Sequence, residues 1–230
     1  MKIKFIASNK HTYEVKEKPK PASEFIPEWW KGMPTYSTGK FDLDPNPTVT
    51  AKKCFPLLDG ITAGYIFTLW SDILVTRTED GHPVIKWVVS TPVVEAWPHM
   101  QSSSYEIPEG YSKTVFKNLH GWIIKTPKGY SSYITHPIGF PNLPFRTLTG
   151  IVDTDKGTFI ASSPFVVKEN YEGIIKKGTP MFQIIPFKRD DWESQIETQT
   201  EEKTFFDMEK LHSTLVSGYN QLFRSKKSYK

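Results

Sequence analysis

The stretch TPKGYSSYITHPIGFPNLPFRTLTGIVDTDKGTFIASSPFVVKENYEGIIKKGTPMFQIIPFKRDDW, residues 126–192, decides the fold class. It is a series of short runs rich in Val, Ile, Phe, Tyr and Thr, each closed by Gly, Pro or Asp. Such runs read as strands, because branched and aromatic side chains suit a pleated surface and the intervening residues suit turns. GIVDTD (150–155) and KKGTPMFQIIPF (176–187) are the clearest strand–turn units. Working outward, TVTAKKCFPLLDGITAGYIFTLWSDILVTRTEDGHPVIKWVV (48–89) has the same texture. Its EDGH (79–82) carries the Asp-Gly signal of a tight hairpin. Thr91–Trp97 and Gly121–Thr126 read as further strands, and Ser112–Leu119 is ambiguous. Turn signals every eight to twelve residues or so predict a sandwich or barrel.

The flanks differ from this centre. Lys2–Phe5 and Thr12–Val15 read as a small hairpin around SNKH (8–11). Residues 16–47 hold prolines at 19, 21, 27, 34, 45 and 47, which remove ladder donors, so this part reads as an extended arm. One short helix is expected within it, capped by Ser23 and packing Phe25, Trp29 and Trp30 on one side. Two adjacent indoles cannot both face one core, so Trp29 and Trp30 are the expected interface residues. At the other end Phe205, Met208, Leu211, Leu215, Tyr219 and Leu222 recur every three or four residues, predicting an amphipathic helix that packs on the β domain. The expected organisation is therefore 1–47 hairpin and arm, 48–192 β domain, and 193–230 linker, helix and basic tail.

Composition bounds the function classes. With 29 Lys and Arg against 25 Asp and Glu, the net charge of +4 is modest and much of it sits in the tail at Arg224, Lys226, Lys227 and Lys230, so nucleic acid is not the expected partner. No apolar run reaches the roughly 18 residues of a membrane helix. The first residues alternate and carry no apolar leader, so no signal peptide is expected. One cysteine, Cys54, excludes an internal disulfide framework. The phosphate-loop, dinucleotide and nucleophile-elbow motifs are absent. His99, His120 and His136 share the central region without metal-ligand spacing, so no metal site is expected.

IPEWWKGMP (26–34), KKCFPLLDGITAGYIFTLWSD (52–72), TPKGYSSYITHP (126–137), LPFRTLTGIVDTD (143–155), GTPMFQIIPFKRDDW (178–192) and GYNQLFRSKKSYK (218–230) together resemble an uncharacterised protein family of phages and bacteria. That resemblance covers most of the chain and implies a viral or microbial source, with host cytoplasm or virion as the place of action, but no activity. A second, partial similarity is to the dUTPase and dCTP deaminase superfamily. It rests on TAGY (62–65), PKGYSS (127–132), GIVDTD (150–155) and KGTPMFQI (177–184), in the superfamily's order. The interval of 28 residues from Gly150 to Gly178 is also close to the superfamily's. This likeness implies a jelly-roll or dUTPase-like β-barrel. It assigns Asp153 to water activation, Lys128, Ser131 and Ser132 to phosphate binding, and Gln183 to the structural glutamine, with Mg2+ as the cofactor of that chemistry alone. Ile66 stands where the superfamily has a metal-binding Asp, and no Tyr follows Asp153. Two functions follow as expectations. The first is a non-enzymatic phage-type structural, assembly or binding protein that self-associates or holds protein partners and needs no cofactor. The alternative is a divergent nucleotide hydrolase or nucleotide-binding protein.

Overall fold

The computed structural model describes residues 1–37, 49–157, 162–213 and 218–230, with the side chains of 211–213 left aside. Thr48, part of the proline-rich arm (38–47), the KGTF segment beyond Gly157, and Leu211 and Leu215 of the predicted helix lie outside this description. The described chain is mainly β. Its strands are β1 (Lys4–Ala7), β2 (Lys20–Pro21), β3 (Tyr65–Thr68), β4 (Ile73–Arg77), β5 (Pro83–Lys86), β6 (Val94–Ala96) and β7 (Tyr111–Asn118). They continue as β8 (Trp122–Lys125), β9 (Tyr130–Thr135), β10 (Phe145–Thr147), β11 (Gly150–Val152), β12 (Ser163–Lys168), β13 (Gly173–Ile175) and β14 (Pro180–Lys188). The helices are α1 (Lys10–Val15), α2 (Glu28–Gly32), α3 (Phe55–Thr62), α4 (His99–Ser102), α5 (Glu201–Ser213) and α6 (Gly218–Leu222).

The strands form four antiparallel sheets, ordered β1-β8, β10-β12-β7-β6, β11-β9-β14-β3-β2 and β13-β4-β5, and these close no barrel. All four contribute to one core. Phe67, Phe145, Phe165, Phe182, Leu69, Ile73 and Ile124 are among its buried members. Phe67 and Phe182 are cross-strand partners and stack at 4.5 Å. Full burial of such a side chain contributes about 1.5–3 kcal/mol relative to exposure. The runs that gave continuous apolar sequence are buried on both faces. In β12, Phe165 and Val167 enter the main core, while Val166 turns the other way to join Val115 and Leu148 in a second cluster.

The EDGH hairpin forms as expected between β4 and β5. Thr78 N–H donates to His82 O, Gly81 N–H to Thr78 O, and Gly81 sits at φ 79°. The N-terminal hairpin does not form. Asn9 accepts from Thr12 N–H at 2.8 Å and starts α1, while β1 pairs with β8 so that Phe5 meets Tyr65 and Phe67. A local side-chain cap outweighs the β-branched residues of KHTYEV. Lys16, just beyond α1, is buried. Its ammonium lies over the Trp70 ring and donates to Leu119 O, and burial holds its pKa below the usual lysine value.

Residues 16–37 lie against their own chain. Lys20–Pro21 extends the five-stranded sheet beside β3, and Ala22–Phe25 forms a 3-10 turn with Ala22 fully buried. Ser23 lies inside that turn, and Pro27, not Ser23, precedes α2. Residues 55–62, read as part of a β region, are the helix α3, entered through Pro56 in its first turn. Of the large apolar residues in the runs that read as strands, Trp70, Phe182 and Ile184 are buried. Trp87 and Ile123 are half-buried, and Ile151 is exposed because β11 is an edge strand. No helix among the described residues is long and apolar enough to cross a membrane.

Candidate functional site

The four segments that carry the superfamily resemblance lie side by side. PKGYSS runs into β9, GIVDTD into β11, TAGY into β3 and KGTPMFQI into β14, and these are consecutive neighbours in the five-stranded sheet. Val152 is the Cα partner of Ser132, Pro186 that of Ser132 on the other side, and Ile184 that of Tyr65. Gly64 is required where TAGY enters β3. It sits at φ 67°, and a Cβ there would stand 1.8 Å from Ile184 O.

Ser131 and Asp153 meet at the β9–β11 end of this sheet, where Ser131 Oγ donates to Asp153 Oδ1 at 2.6 Å. The organiser is a residue the sequence reading passed over. Arg189 follows β14, and its N–H donates to Gly129 O. Its guanidinium reaches Ser131 Oγ at 2.8 Å, Tyr130 O at 3.1 Å, Asp153 Oδ1 at 3.2 Å and Asp155 Oδ1 at 2.9 Å, with a second bond to Asp155 Oδ2. Asp155 also accepts from Gly129 N–H at 2.8 Å. Arginine suits this post because its planar fork engages a carboxylate with two parallel bonds. The Arg189 guanidinium holds the Asp155 carboxyl down to about 2. The Ser131 hydroxyl, then Lys156 and Arg189, hold Asp153 below the ordinary carboxylate range.

Beneath these charges lies a buried hydroxyl chain. Thr154 Oγ1 bonds Thr126 Oγ1 at 2.8 Å and Ser132 Oγ at 2.9 Å. Ser132 is thus committed to the interior, and Ser131 is bonded on both sides. Lys128 is exposed in the Pro127–Tyr130 turn, and no ion pair or hydrogen bond joins it to Asp153 among the described residues. Gln183 is fully buried. Its Nε2 donates to Gly60 O at 3.0 Å and Ala63 O at 2.6 Å, and its Oε1 accepts from Ile138 N–H at 2.9 Å. It fastens α3 and the loop after β9 to β14.

This arrangement binds turns together. A carboxylate held low is a weak proton acceptor near neutral pH, where a general base works best with a pKa close to 7. Two described clefts, of about 570 and 680 Å³, lie elsewhere. They flank Lys113 and Glu169 near the Ser102–Gly110 loop and the β4–β5 hairpin, and neither is lined by Asp153, Ser131, Ser132 or Lys128.

The histidines follow the same pattern. His120 Nδ1 accepts from Trp122 N–H, and His136 Nδ1 accepts from Thr147 N–H while its Nε2 meets Phe140 O. Burial keeps His136 below the usual histidine value. His99 is exposed. No group of three His, Cys, Asp or Glu could hold a metal ion among the described residues. Cys54 is a half-buried thiol at the start of α3, not on a strand.

Of the two tryptophans expected at an interface, Trp30 is buried in its own chain with Lys52 over its ring, so that role does not fall to it. Trp29 is half-exposed, edge-on to Trp30, and donates its indole N–H to Gly139 O at 2.7 Å. A run of exposed apolar side chains lies in the C-terminal segment. Trp192 and Ile196 are 90% and 98% exposed, and Phe205, Phe206 and Met208 on α5 are 66%, 65% and 51% exposed. The expected packing of this helix's described apolar residues on the β domain is therefore not seen. Beyond it the chain is tied back. Arg224 grips Asp59 with Nη2–Oδ1 at 2.6 Å, Lys227 adds a bond at 2.9 Å, and Tyr229 packs edge-on against Tyr65. Arg224 and Lys227 of the basic tail are thus spent within the chain.

No family model matches this chain, and the search of curated proteins finds no match to it.

Proposed function

We propose that this protein is a non-catalytic assembly protein that works by self-association through its C-terminal segment. Its β-sheet scaffold is of the jelly-roll or dUTPase-like kind in ancestry. The resemblance to a family of phages and bacteria supports a role in building a viral or microbial structure, in the host cytoplasm or the virion. The observation that carries the reading is the exposed apolar run from Trp192 to Met208. Large apolar side chains gathered on one segment mark an interaction surface, because leaving them in water forgoes the burial that association supplies. The chain is fixed to the β body on both sides of this run, by Arg189 before it and by Arg224 and Lys227 after it. The run is thus a presented element of the fold. The test is native mass. The full chain is expected to be larger than one copy at micromolar concentration, and Phe205→Ser/Phe206→Ser to reduce it to a single chain. An unchanged mass in that variant sinks the reading.

The convergence of Ser131, Asp153 and Arg189 favours a second reading, a nucleotide site. There Arg189 would face phosphate oxygens, Asp153 would be the base, and magnesium would be the cofactor. The spent carboxylates argue against turnover, so hydrolysis of dUTP or dCTP with magnesium is expected to stay at buffer background. Release of pyrophosphate that Asp153→Asn abolishes would put this reading first.

A further inference from the structure

The acceptor for the C-terminal helix is visible on the same chain. On the outward face of the three-stranded sheet, Ile174, Leu74 and Lys86 are Cα partners across β13, β4 and β5, forming one straight row. Ile174 is 52% and Leu74 40% exposed. Trp87, which packs partly against the core, and the 94% exposed Val88 follow Lys86 in the chain, and together these residues line an apolar groove of about 280 Å³. A sheet face with apolar residues in register and a lysine at its end is half of a recognition surface. Lys86 has no ion-pair partner among the described residues, whereas Asp72, which also lines the groove, is paired with Lys176 at 3.0 Å.

The other half is α5. Phe205 and Met208, three residues apart, share one side of the helix and line one surface depression with Glu201 and Glu202. Glu201, Glu202, Asp207 and Glu209 outnumber Lys203 and Lys210 over residues 201–210, so the ridge is aromatic and acid-rimmed. Glu201 and Glu202 have no ion-pair partner among the described residues. An amphipathic helix laid in a groove by anchors at i and i+3 is a common mode of recognition, and opposite charges at the rim set its orientation and register. The helix is not seated on its own sheet, since Phe205 and Phe206 remain about two-thirds exposed.

We infer that α5 of one copy docks in the Leu74–Ile174–Trp87 groove of a second copy, with Glu201 and Glu202 toward Lys86. This rests on the self-association proposed above and names its geometry. Helix and groove are different surfaces, so the contact is head-to-tail and each copy offers one donor and one acceptor. Such contacts propagate into a ring or a filament rather than stopping at a two-fold dimer.

Complementation tests it. Phe205→Ser/Phe206→Ser removes the donor and Leu74→Ser/Ile174→Ser removes the acceptor, all four at exposed positions. Each variant alone is expected to run as a single chain with an unchanged thermal midpoint. Mixed, they are expected to form a 1:1 heterodimer that grows no further. Lys86→Glu is expected to weaken assembly, and Glu201→Lys/Glu202→Lys in the same chain to restore it, which holds the test open if an apolar variant misfolds. A monomeric donor variant beside an assembled acceptor variant overturns the groove and leaves the self-association reading standing. Two monomeric variants that fail to pair also overturn the groove. Wild-type mass retained in both variants, or a monomeric wild type, overturns both.

Discussion

Phe182 and Phe205 carry the same ring and meet opposite fates. Phe182 is fully buried, stacks on Phe67 across the β3–β14 pair, and follows a register shift after Pro180 that lets Met181 and Phe182 both turn inward. Phe205 stands 66% exposed on a helix whose other described aromatic, Phe206, is equally bare. The polar residues divide the same way. In the five-stranded sheet Gln183 and Arg189 bond three and four separate residues, whereas Glu201 and Glu202 on α5 hold no ion pair among the described residues. One region has spent its side chains on its own fold. The other leaves them exposed to solvent.

Substitutions can break that contrast. The largest effect is expected at the sheet. Phe182→Ala should lower stability by about 3–5 kcal/mol through lost transfer energy and a cavity, read as a lower denaturant midpoint. Phe205→Ala should stay within about 0.5 kcal/mol in a dilute, unassembled sample. Comparable losses at the two positions would erase the distinction. Gln183→Ala comes next. It strands the Ile138 N–H and the Ala63 carbonyl, at about 1–3 kcal/mol for each buried group left unpaired, and a neutral result would mean that the clamp is not closed in solution.

Acid sharpens the picture at Asp155. A carboxyl held to about 2 when folded, against 3.8 when free, contributes its full stability above about pH 4 and loses it as pH falls toward 2. Arg189→Met should flatten that fall, seen in thermal midpoints measured from pH 5 to 2, and an equally steep fall would remove Arg189 from the network. The smallest effect belongs to Lys128→Ala. With the side chain exposed, both stability and assembly should be unchanged within about 0.5 kcal/mol.

The sequence disclosed the parts whose physics is local. The Asp80–Gly81 turn, the Phe182 strand and the order of the four resemblance segments could be read because turn chemistry and alternation are short-range signals. The hairpin at 2–15 misled because Asn9 capping Thr12 competes with β-branched composition, and alternation alone does not weigh a cap. α3 was missed because a helix of eight residues with Pro in its first turn looks like interrupted strand. Asp153 and Ser131, singled out by the resemblance, are in contact, but Arg189, which joins them, carries no sequence signal. Its role depends on β14 pairing with β9, and no local pattern announces which strand end will face which turn. The pairing of the tail charges is hidden for the same reason, since Asp59 lies 165 residues from Arg224. The adjacent pair Trp29–Trp30 pointed to surface function, whereas the fold placed a run of exposed apolar side chains at 192–208.

Backbone hydrogen exchange, followed at nanomolar and at high micromolar concentration, compares the two regions in one experiment. In β14 the Phe182–Ile185 amides should be protected equally at both concentrations, because their partners are in the same chain. The 201–208 amides should exchange freely when dilute and become protected as concentration rises and the apolar ridge is covered. Exchange of 201–208 that is the same at both concentrations would contradict the claim that this segment is an association surface.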